Sequence, residues 1–587
     1  MWQLEWYHGN IALVSYIETR AFYIGGENMS LTYQIATIIS NALENEWTVE
    51  QVEQLLEKSK QTKHGDMAFP CFTLAPKMRK APQQIALELS KKLEDYLITN
   101  VQVAGGYVNL FLHQELVTNQ VLQAITSDLQ QYGSKKKEHE KIIIDFSSPN
   151  IAKPFSMGHL RSTVIGNSLA NITEKNGYEA VRINHLGDWG TQFGKLIVAY
   201  KLWGNQDKIL AAPIAELLKI YVHFHDMAEK DDSLNGQARA AFKSLEEGDE
   251  EALNLWNWFK DASLKEFQQI YELLGVRFDS YAGEAFYNDK MTSVVDGLKE
   301  KGLLMESNGA FVVELEDMPP SLITKKDGAT LYATRDLAAA IYRQQTYQAT
   351  KTFYVVGNEQ TLHFKQLFSV LEKMGYEWAK QLEHVPFGMM LKDGKKMSTR
   401  KGKIILLADV IADAIHTAKQ NINEKNPTLE DKEEIAKQVG IGAVIFNDLK
   451  NDRMNDIEFS LEQMLNFEGE TGPYVQYTNA RICSLLQKGN FKAVEFNFSP
   501  LGDETWPIIQ LLEDFPGVVE KAFAYADPSQ IAKYCLLLSR QFNKYYANTK
   551  ILAKDETTSS KLTLAFSVSI VLKECLRLLG MPAPEKM

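Results

Sequence analysis

Residues 147–162 combine the residue types that bind phosphate groups. An apolar run of β-branched residues precedes them and a helical pattern begins near Gly158, so the segment joins a buried strand to a helix N-terminus. The unpaired amides and positive dipole end of such a helix attract anions. His159 can donate a hydrogen bond to a phosphate oxygen, Lys153 can supply charge, and Gly158 lets a base or ribose approach the backbone closely. The segment therefore predicts a nucleotide phosphate site.

A glycine-bounded loop crowded with cations follows at residues 393–403, and it includes Lys396 and Arg400. An arbitrary basic run of this kind is most often a solvated surface loop. Beside a nucleotide, however, such cations offset the charge that develops on a leaving phosphate group, without covalent chemistry by the protein. Two phosphate-binding patterns in one chain indicate a nucleotide site more specifically than either pattern alone.

Residues 331–340 form a good helical sequence that carries a candidate substrate-binding carboxylate. Tyr332 and Asp336 are four positions apart, so they share one face of the helix. An exposed helix with an ordinary surface aspartate is the simplest interpretation. A carboxylate in a pocket would instead form a forked, charge-assisted hydrogen bond with a guanidinium and would reject neutral isosteres.

The surrounding pattern predicts the elements that position these side chains. Residues 141–146 are predicted to form a buried parallel strand, residues 181–185 the next strand, and residues 353–356 a further strand of the same sheet. Residues 200–330 are largely helical and charged, which is typical of an insertion. The predicted fold is an α/β Rossmann-like domain with a doubly wound parallel sheet, preceded by a small α+β domain and followed by an all-α bundle.

Bulk properties fit a large globular protein. The chain has 587 residues, of which 45% are hydrophobic and 24% charged, and this length requires several domains. Its four cysteines are far apart and lack zinc-site spacing, so buried reduced thiols are expected. The net charge of −12 argues weakly against a nucleic-acid partner, although local patches decide binding. No apolar run is long enough to span a membrane, and a cytoplasmic protein is expected.

Together, the two phosphate-binding patterns resemble the signatures of class I aminoacyl-tRNA synthetases. Residues 156–159 are similar to the HIGH signature, and residues 396–398, Lys-Met-Ser, are similar to the KMSKS loop. The sequence Ser-Ser-Pro-Asn-Ile-Ala-Lys-Pro before the first signature, and Gly-His-Leu-Arg-Ser within it, resemble the arginyl subgroup. The resemblance runs from about Met29 to the last residue.

The resemblance implies an ATP site formed by both signatures. ATP would bring Mg²⁺ with it, without a dedicated protein cage or a protein metal site. The expected ATP contacts are Ser156, Gly158, His159, Lys396, Met397 and Ser398. The expected catalytic residues are His159, Lys396, Lys153 and Arg400. Two positions depart from the family pattern: Ser156 replaces its first histidine with a shorter neutral donor, and Arg400 replaces its second lysine.

The resemblance also implies an arginine pocket. The residues that match it are Asp145, Asn150, His185, Tyr332, Asp336 and Gln360. Tyr332 and Asp336 match the pair that holds the guanidinium, with Gln360 as a third pocket residue. Asp145 and Asn150 match the residues that bind the α-amino group, although the first is often a glutamate. In the block at residues 185–194, Asp188 and Gln192 join His185 as candidate substrate contacts.

Both ends of the chain are implied to bind tRNA(Arg). Asn109 and Phe111 are candidates in the N-terminal domain, which reads the tRNA elbow. In the C-terminal domain, the candidates for the anticodon loop are Lys533, Arg540, Lys544 and Tyr545. Cations for phosphates and aromatics for unstacked bases are how proteins recognise single-stranded RNA. For any one of these residues, a solvated helix face or a core tyrosine is an equally good interpretation.

The predicted domains are residues 29–135, 136–465 and 466–587. Residues 1–28 lack a clear period, and we expect translation to begin at Met29, with a poorly structured extension as the alternative. The expected activity is that of a monomeric arginine–tRNA ligase, whose activation step requires tRNA in this subgroup. A catalytically dead RNA-binding paralogue and another nucleotidyltransferase are the alternatives. The presence of His159, Lys396 and Asp336 argues against the first.

Overall fold

The computed structural model describes residues 30–59, 62–325, 332–392, 394–396, 406–492 and 499–587. The proposed start at Met29 lies outside these residues. The chain divides into two compact units. The smaller comprises Met1–Tyr132, Phe491–Pro516 and Lys544–Ser567, and the larger comprises Gly133–Asn490, Gly517–Asn543 and Val568–Met587. Because residues after 465 contribute to both units, the division into three domains stays a prediction.

The smaller unit contains the predicted α+β fold. The helical pattern of residues 31–58 forms two helices because Glu44 and Asn45 between them adopt left-handed backbone conformations. The helices are α1 (Leu31–Ala42), α2 (Val49–Leu55), α3 (Ala75–Met78), α4 (Pro82–Ser90) and α5 (Gln114–Asp128). The strands are β1 (Glu57–Lys58), β2 (Met67–Pro70), β3 (Ile98–Ala104) and β4 (Tyr107–Leu112), paired in the order β1-β2-β4-β3. Gly105, with φ of 60°, makes the predicted β3–β4 turn.

The larger unit begins with a strand–helix–strand segment and a helical insertion. The elements are β5 (Lys141–Asp145), α6 (Met157–Lys175), β6 (Glu179–Ile183), α7 (Thr191–Trp203), α8 (Gln206–Ala211), α9 (Pro213–Ala228), α10 (Ser233–Glu246), α11 (Glu250–Leu274) and α12 (Met291–Glu300). Three short strands follow, β7 (Met305–Ser307), β8 (Ala310–Val313) and β9 (Ser321–Lys325). They form an antiparallel sheet that the largely helical prediction for residues 200–330 did not include.

The rest of the larger unit completes the central sheet and adds helices. Its elements are α13 (Tyr332–Tyr347), β10 (Lys351–Gly357), α14 (Thr361–Lys373), β11 (Leu382–Phe387), β12 (Met390–Lys392), β13 (Lys395–Lys396), α15 (Leu407–Lys425), α16 (Lys432–Leu449), β14 (Ile457–Glu458), α17 (Leu461–Met464) and α18 (Gly472–Lys488). The last helices, which contribute residues to both units, are α19 (Trp506–Ala524), α20 (Ser529–Asn548) and α21 (Thr558–Leu578). The predicted all-α C-terminal region is thus confirmed.

The central sheet has the order β11-β10-β5-β6, and all its neighbouring strands are parallel. This confirms the predicted parallel sheet. Strand β5 is central and buried on both faces, which explains its continuous apolar run. Because parallel strands end at the same edge, the register places Asp145 between Tyr354 and Ile183 at the carboxyl end of the sheet. Ligands bind at this edge of open α/β sheets.

Helix α6 is buried along nearly its whole length, so its position is fixed by packing on several sides. Its Gly166 has no room for a side chain, since a Cβ would lie 2.2 Å from the Phe146 ring. Two residues further along the helix, Ser168 Oγ donates to the Leu578 carbonyl. Among the described residues, no helix is both long and apolar enough to cross a membrane.

Candidate active site

The loop between β5 and α6 has a strained backbone that side chains hold in place. Ser147, Ser148 and Ala152 all have positive φ, which costs a non-glycine residue on the order of 1 kcal/mol each. Ser147 N–H donates to Ser162 Oγ at 2.9 Å, and Ala152 N–H donates to Ser263 Oγ at 3.1 Å. Strain of this kind persists where the surrounding structure over-determines the loop, and it concentrates at functional sites.

His159 lies in the first turn of α6 and is oriented by the residue that precedes the helix. The Ser156 N–H donates to His159 Nδ1 at 3.2 Å, and Ser156 Oγ is also 3.2 Å from this nitrogen. Burial lowers the pKa of His159 to about 4, and the Lys153 cation contributes. The ring is therefore neutral at pH 7. Because Nδ1 accepts, its single proton is on Nε2, which can donate to a phosphate oxygen.

The outer surface of the same helix turn is open. Gly158 is exposed, and an added Cβ would meet only Ser156 Oγ at 3.5 Å. Lys153 and Gln192 line one small cavity together with Ile151 and Phe193. The predicted phosphate contacts Ser156, Gly158, His159 and Lys153 are thus adjacent, beside an exposed helix N-terminus.

The second predicted phosphate segment is only partly described. Lys395 and Lys396 form β13, which pairs with β12 in the register Leu391 to Lys396. Met397, Ser398 and Arg400 lie outside the described residues, as does the Lys396 side chain. Lys396 is the last residue of β13, so its backbone position is fixed by the pairing with β12.

Asp336 on α13 is held between two histidines. Its Oδ2 accepts a hydrogen bond from His363 Nε2 at 2.7 Å, and its Oδ1 lies 3.8 Å from His185 Nε2. Although burial acts to raise the pKa of Asp336, the His363 hydrogen bond and the two imidazoles outweigh it and lower the pKa. The same bond raises the pKa of His363. The carboxylate is 30% exposed, so it remains accessible to a cationic ligand.

Asp145 and His185 are joined by a buried arginine that the sequence did not single out. Arg343 Nη1 donates to Asp145 Oδ2 at 2.7 Å, and Nη2 donates to His185 Nδ1 at 3.2 Å. Arg343 is only 3% exposed. Both oxygens of Asp145 are therefore engaged by the protein, since Oδ1 accepts a hydrogen bond from Ser148 Oγ at 3.3 Å, and Asp145 is only 4% exposed. Arg343 on α13 connects the end of the central strand to the Asp336 cluster.

Glu284 is a second carboxylate of this region that the sequence did not reveal. Its Oε2 receives no hydrogen bond from the described residues and lies 3.5 Å from Arg335 Nη1. Burial raises the pKa of Glu284 to about 7, with Arg335 and Lys153 opposing this effect and Asp336 and Asp188 adding to it. Glu284 is therefore partly neutral at pH 7, beside the ionised Asp336. It can ionise when a cation binds next to it.

Asp188 holds the turn that carries Glu284. It is 4% exposed and accepts a hydrogen bond from Ala285 N–H at 2.8 Å. A Cβ on Gly283 would lie 2.6 Å from the same carboxylate, so Gly283 allows the turn to pack against it. A substrate contact by Asp188 stays a prediction.

The remaining predicted pocket residues lie at the edges of this cluster. Tyr332 is 64% exposed, and its hydroxyl lies 3.7 Å from the Cβ that Gly190 would carry. Gln360 is exposed at the start of α14. The Asn150 side chain packs against Gly187, where a Cβ would lie 2.5 Å from its Oδ1.

The two predicted tRNA-binding residues on β4 differ in accessibility. Phe111 is half-buried, but Asn109 is only 5% exposed within its strand. The burial of Asn109 limits direct contact with RNA.

The C-terminal candidates lie on α20. Lys533, Arg540 and Lys544 are exposed, and Arg540 Nη2 is 2.8 Å from Glu470 Oε1. Tyr545 is only 4% exposed, because it belongs to the packed face of the helix. This corrects the expectation that its ring is available to stack on a base.

Comparisons with known proteins cover almost the entire chain. The family described as "tRNA synthetases class I (R), catalytic domain" matches residues 120–461. The "Arginyl tRNA synthetase N terminal domain" matches residues 33–112, and the "DALR anticodon binding domain" matches residues 475–587. The chain is 57% identical to the arginine–tRNA ligase of Exiguobacterium sibiricum, over 95% of this chain and 100% of that protein.

The chain belongs to the arginyl-tRNA synthetase family. Arginine–tRNA ligase 2 of Bacillus anthracis is 56% identical, with the same coverage of both chains. The crystal structure of the Thermus thermophilus arginyl-tRNA synthetase matches with a TM-score of 0.81 and 25% identity, over 95% of this chain and all of that one. The Plasmodium falciparum enzyme shares the fold, with a TM-score of 0.80 over 95% of this chain and 99% of that one, at 24% identity. Membership of the family confirms the resemblance inferred from the two signatures.

Proposed function

We propose that this chain is a cytoplasmic, monomeric arginine–tRNA ligase that uses ATP as its magnesium complex. In the first step, a carboxylate oxygen of L-arginine attacks the α-phosphorus of ATP and the bond to pyrophosphate breaks, which gives arginyl-adenylate. In the second step, a terminal ribose hydroxyl of tRNA(Arg) attacks the arginyl carbonyl and AMP leaves. The observation that carries this proposal is the ionised Asp336 carboxylate, which is 30% exposed in the cluster that Arg343 links to the end of β5.

The guanidinium of arginine binds between Asp336 and Glu284. Asp336 is already oriented by His363 and so needs no reorganisation to accept a forked pair of hydrogen bonds. Glu284 gains its charge when a cation arrives, because that cation stabilises the ionised form. Tyr332 and Gln360 close the pocket from its exposed edges, and His185 is the neutral neighbour of Asp336.

The α-amino group binds close to the end of β5. Asn150 and the Oδ1 atom of Asp145 are the acceptors proposed for it. Because Asp145 Oδ2 is engaged by Arg343, Asp145 also has a positioning role. A contact through one oxygen or through a water molecule fits an aspartate, which is shorter than a glutamate.

ATP lies along the N-terminus of α6. The neutral His159 donates from Nε2 to the α-phosphate, where charge develops in the transition state, and Lys153 adds positive charge. Ser156 and Gly158 adjoin the nucleotide. The proposed cations beside the leaving pyrophosphate are Lys396 and Arg400, with Met397 and Ser398 as further ATP contacts.

The tRNA contacts proposed are Phe111 in the smaller unit and the exposed face of α20. Lys533, Arg540 and Lys544 are spaced to meet successive phosphates along that face. Asn109 and Tyr545 act by holding their neighbours in place rather than by touching RNA.

Arginine-dependent ATP–pyrophosphate exchange, measured with and without tRNA(Arg), tests the proposal. We expect exchange with arginine and none with lysine, whose ammonium cannot form the forked contact. Absence of exchange with arginine under both conditions would favour an inactive RNA-binding paralogue. Retention of ATP binding by that inactive protein would separate a lost reaction from a misfolded site.

A further inference from the structure

We propose that Arg161 is a positioning residue that fixes the strand ending at Lys396 to the helix carrying His159. The inference rests on the proposed function, since it concerns how the two phosphate-binding segments are held relative to each other. Arg161 lies half a turn after His159 on α6 and is only 1% exposed. A cation buried this deeply is costly unless every donor has a partner, so its contacts identify what it holds.

The guanidinium of Arg161 connects α6 to the segment that leads into β14. Its Nε donates to Asp448 Oδ2 at 3.1 Å, which neutralises its charge. Its Nη1 donates to the Asn455 carbonyl at 2.9 Å, and Nη2 donates to the Arg453 carbonyl at 3.2 Å. One side chain therefore contacts the backbone at two points of one loop, with a geometry that lysine cannot reproduce.

The loop held by Arg161 is continuous with the small sheet that contains Lys396. The Arg453 carbonyl also accepts from Gly388 N–H at 2.9 Å, and Asp456 Oδ1 accepts from Met389 N–H at 2.6 Å. Strand β14 then pairs in parallel with β12, which pairs with β13. A continuous path of hydrogen bonds and short backbone segments therefore runs from Arg161 to the backbone of Lys396.

The chain after the basic segment returns to the same helix. Leu406 forms an antiparallel bridge with Ser156, and Leu407 N–H donates to the Phe155 carbonyl at 3.0 Å. Both described flanks of residues 397–405 are thus attached to the first turns of α6. Arg161 supplies one of these attachments, and the backbone at Phe155 and Ser156 supplies the other.

This arrangement assigns Arg161 to the chemical step rather than to arginine recognition. Its contacts lie on the phosphate side of the sheet, and none of them involves Asp336, His363 or Glu284. A displaced β13 would shift the Lys396 backbone relative to His159, and misplacement of about 1 Å can lower a rate by about 10²-fold.

The test compares Arg161→Lys with two further variants by steady-state exchange kinetics and hydrogen–deuterium exchange. We expect Arg161→Lys to lower kcat for ATP–pyrophosphate exchange by about 10²-fold with KM for arginine unchanged. Gly388→Ala should lower kcat in the same way while leaving Arg161 unchanged, because the added Cβ would lie 2.7 Å from the Asn455 backbone. The amides of Ile457 and Phe459 donate hydrogen bonds to carbonyls of β12 or of the residue before it. Both amides should exchange their hydrogens faster in Arg161→Lys and in Gly388→Ala.

Lys175→Met is the matched control. Lys175 ends the same helix and is equally buried, in a 3.0 Å ion pair with Glu574. We expect it to lower Tm but to leave kcat and the amide exchange of Ile457 unchanged. Equal loss of kcat in Lys175→Met and Arg161→Lys would overturn the proposal, as would normal kcat in both Arg161→Lys and Gly388→Ala. If the wild type itself shows no pyrophosphate exchange, the proposed function fails. In that case the amide exchange of Ile457 and Phe459 alone tests the positioning role of Arg161. Unchanged exchange of these amides in Arg161→Lys would overturn that role.

Discussion

The phosphate end and the guanidinium end of the site both depend on a histidine, but the two histidines have opposite charge preferences. Burial, together with the nearby Lys153 cation, lowers the pKa of His159 to about 4, so the ring stays neutral. His363 donates to the Asp336 carboxylate, which raises its pKa. The surroundings of each histidine, rather than the residue type, decide its charge preference.

This difference matches the charge of the two ligands. A triphosphate is polyanionic, and its charge is met by separate cations, so a neutral donor at His159 needs only to be well directed. Arginine is cationic, and Asp336 must remain an anion to bind it. The hydrogen bond from His363 stabilises that anion through Oδ2 and does not occupy Oδ1.

Removing the negative charge at the guanidinium end should have the largest effect. Asp336→Asn keeps the shape but loses the ion pair, and we expect kcat/KM for arginine in pyrophosphate exchange to fall by about 10⁴-fold. ATP affinity, measured by calorimetry, should be nearly unchanged because the phosphate end is separate. Equal loss of ATP affinity would mean that Asp336 is structural.

Removing the donor at the phosphate end should lower kcat rather than arginine affinity. His159→Ala loses one hydrogen bond to the transition state, and we expect kcat for pyrophosphate exchange to fall by about 10²–10³-fold. His159→Asn retains a neutral donor and should recover part of that loss. The assigned neutral state of His159 would be wrong if His159→Asn recovered none of the loss and the wild type were active only at low pH, where its imidazole is protonated.

Uncoupling His363 from Asp336 should weaken arginine binding moderately. His363→Ala removes one charge-assisted hydrogen bond, and we expect KM for arginine in pyrophosphate exchange to rise by about 10-fold with kcat unchanged. His363→Gln keeps a neutral donor and serves as the comparison. An effect confined to KM for ATP would place His363 at the other end of the site.

The pH dependence of arginine binding should report Glu284. Below pH 7 this carboxyl is protonated and neutral, and above pH 7 it is ionised and attracts the guanidinium. Arginine binding should therefore tighten several-fold from about pH 6 to about pH 8, and Glu284→Gln should remove this part of the profile. Titration of His363, whose pKa is raised, accounts for any remaining slope. A slope of the same size in Glu284→Gln would exclude the assignment.

Local sequence order predicted the strand, the loop and the helix start at the proposed phosphate end. A β-branched strand, a loop with two prolines and a helix start are adjacent in the chain, so their geometry follows from short-range rules. The same reasoning placed Tyr332 and Asp336 on one helix. Hydrogen bonds across the loop, such as that from Ala152 to Ser263, could not be foreseen because the partners are distant in sequence.

The guanidinium end was predicted only in part for the same physical reason. Glu284 lies in a charged insertion, where an acidic residue carries no local signal, and it becomes distinctive only when Asp188 and Gly283 fold it inward. Arg343 continues an ordinary helical pattern, and only the tertiary structure places it against Asp145. Burial likewise separated Tyr545 from the exposed cations of its helix.

Aminoacylation of tRNA(Arg) with arginine and with citrulline, in which a neutral urea replaces the guanidinium, tests directly whether charge selects the substrate. We expect arginine to be attached to the tRNA and kcat/KM for citrulline to be lower by about 10⁴-fold, because Asp336 and Glu284 would be left without a cation. Comparable aminoacylation with both amino acids would contradict the claim that these carboxylates select the substrate by its charge.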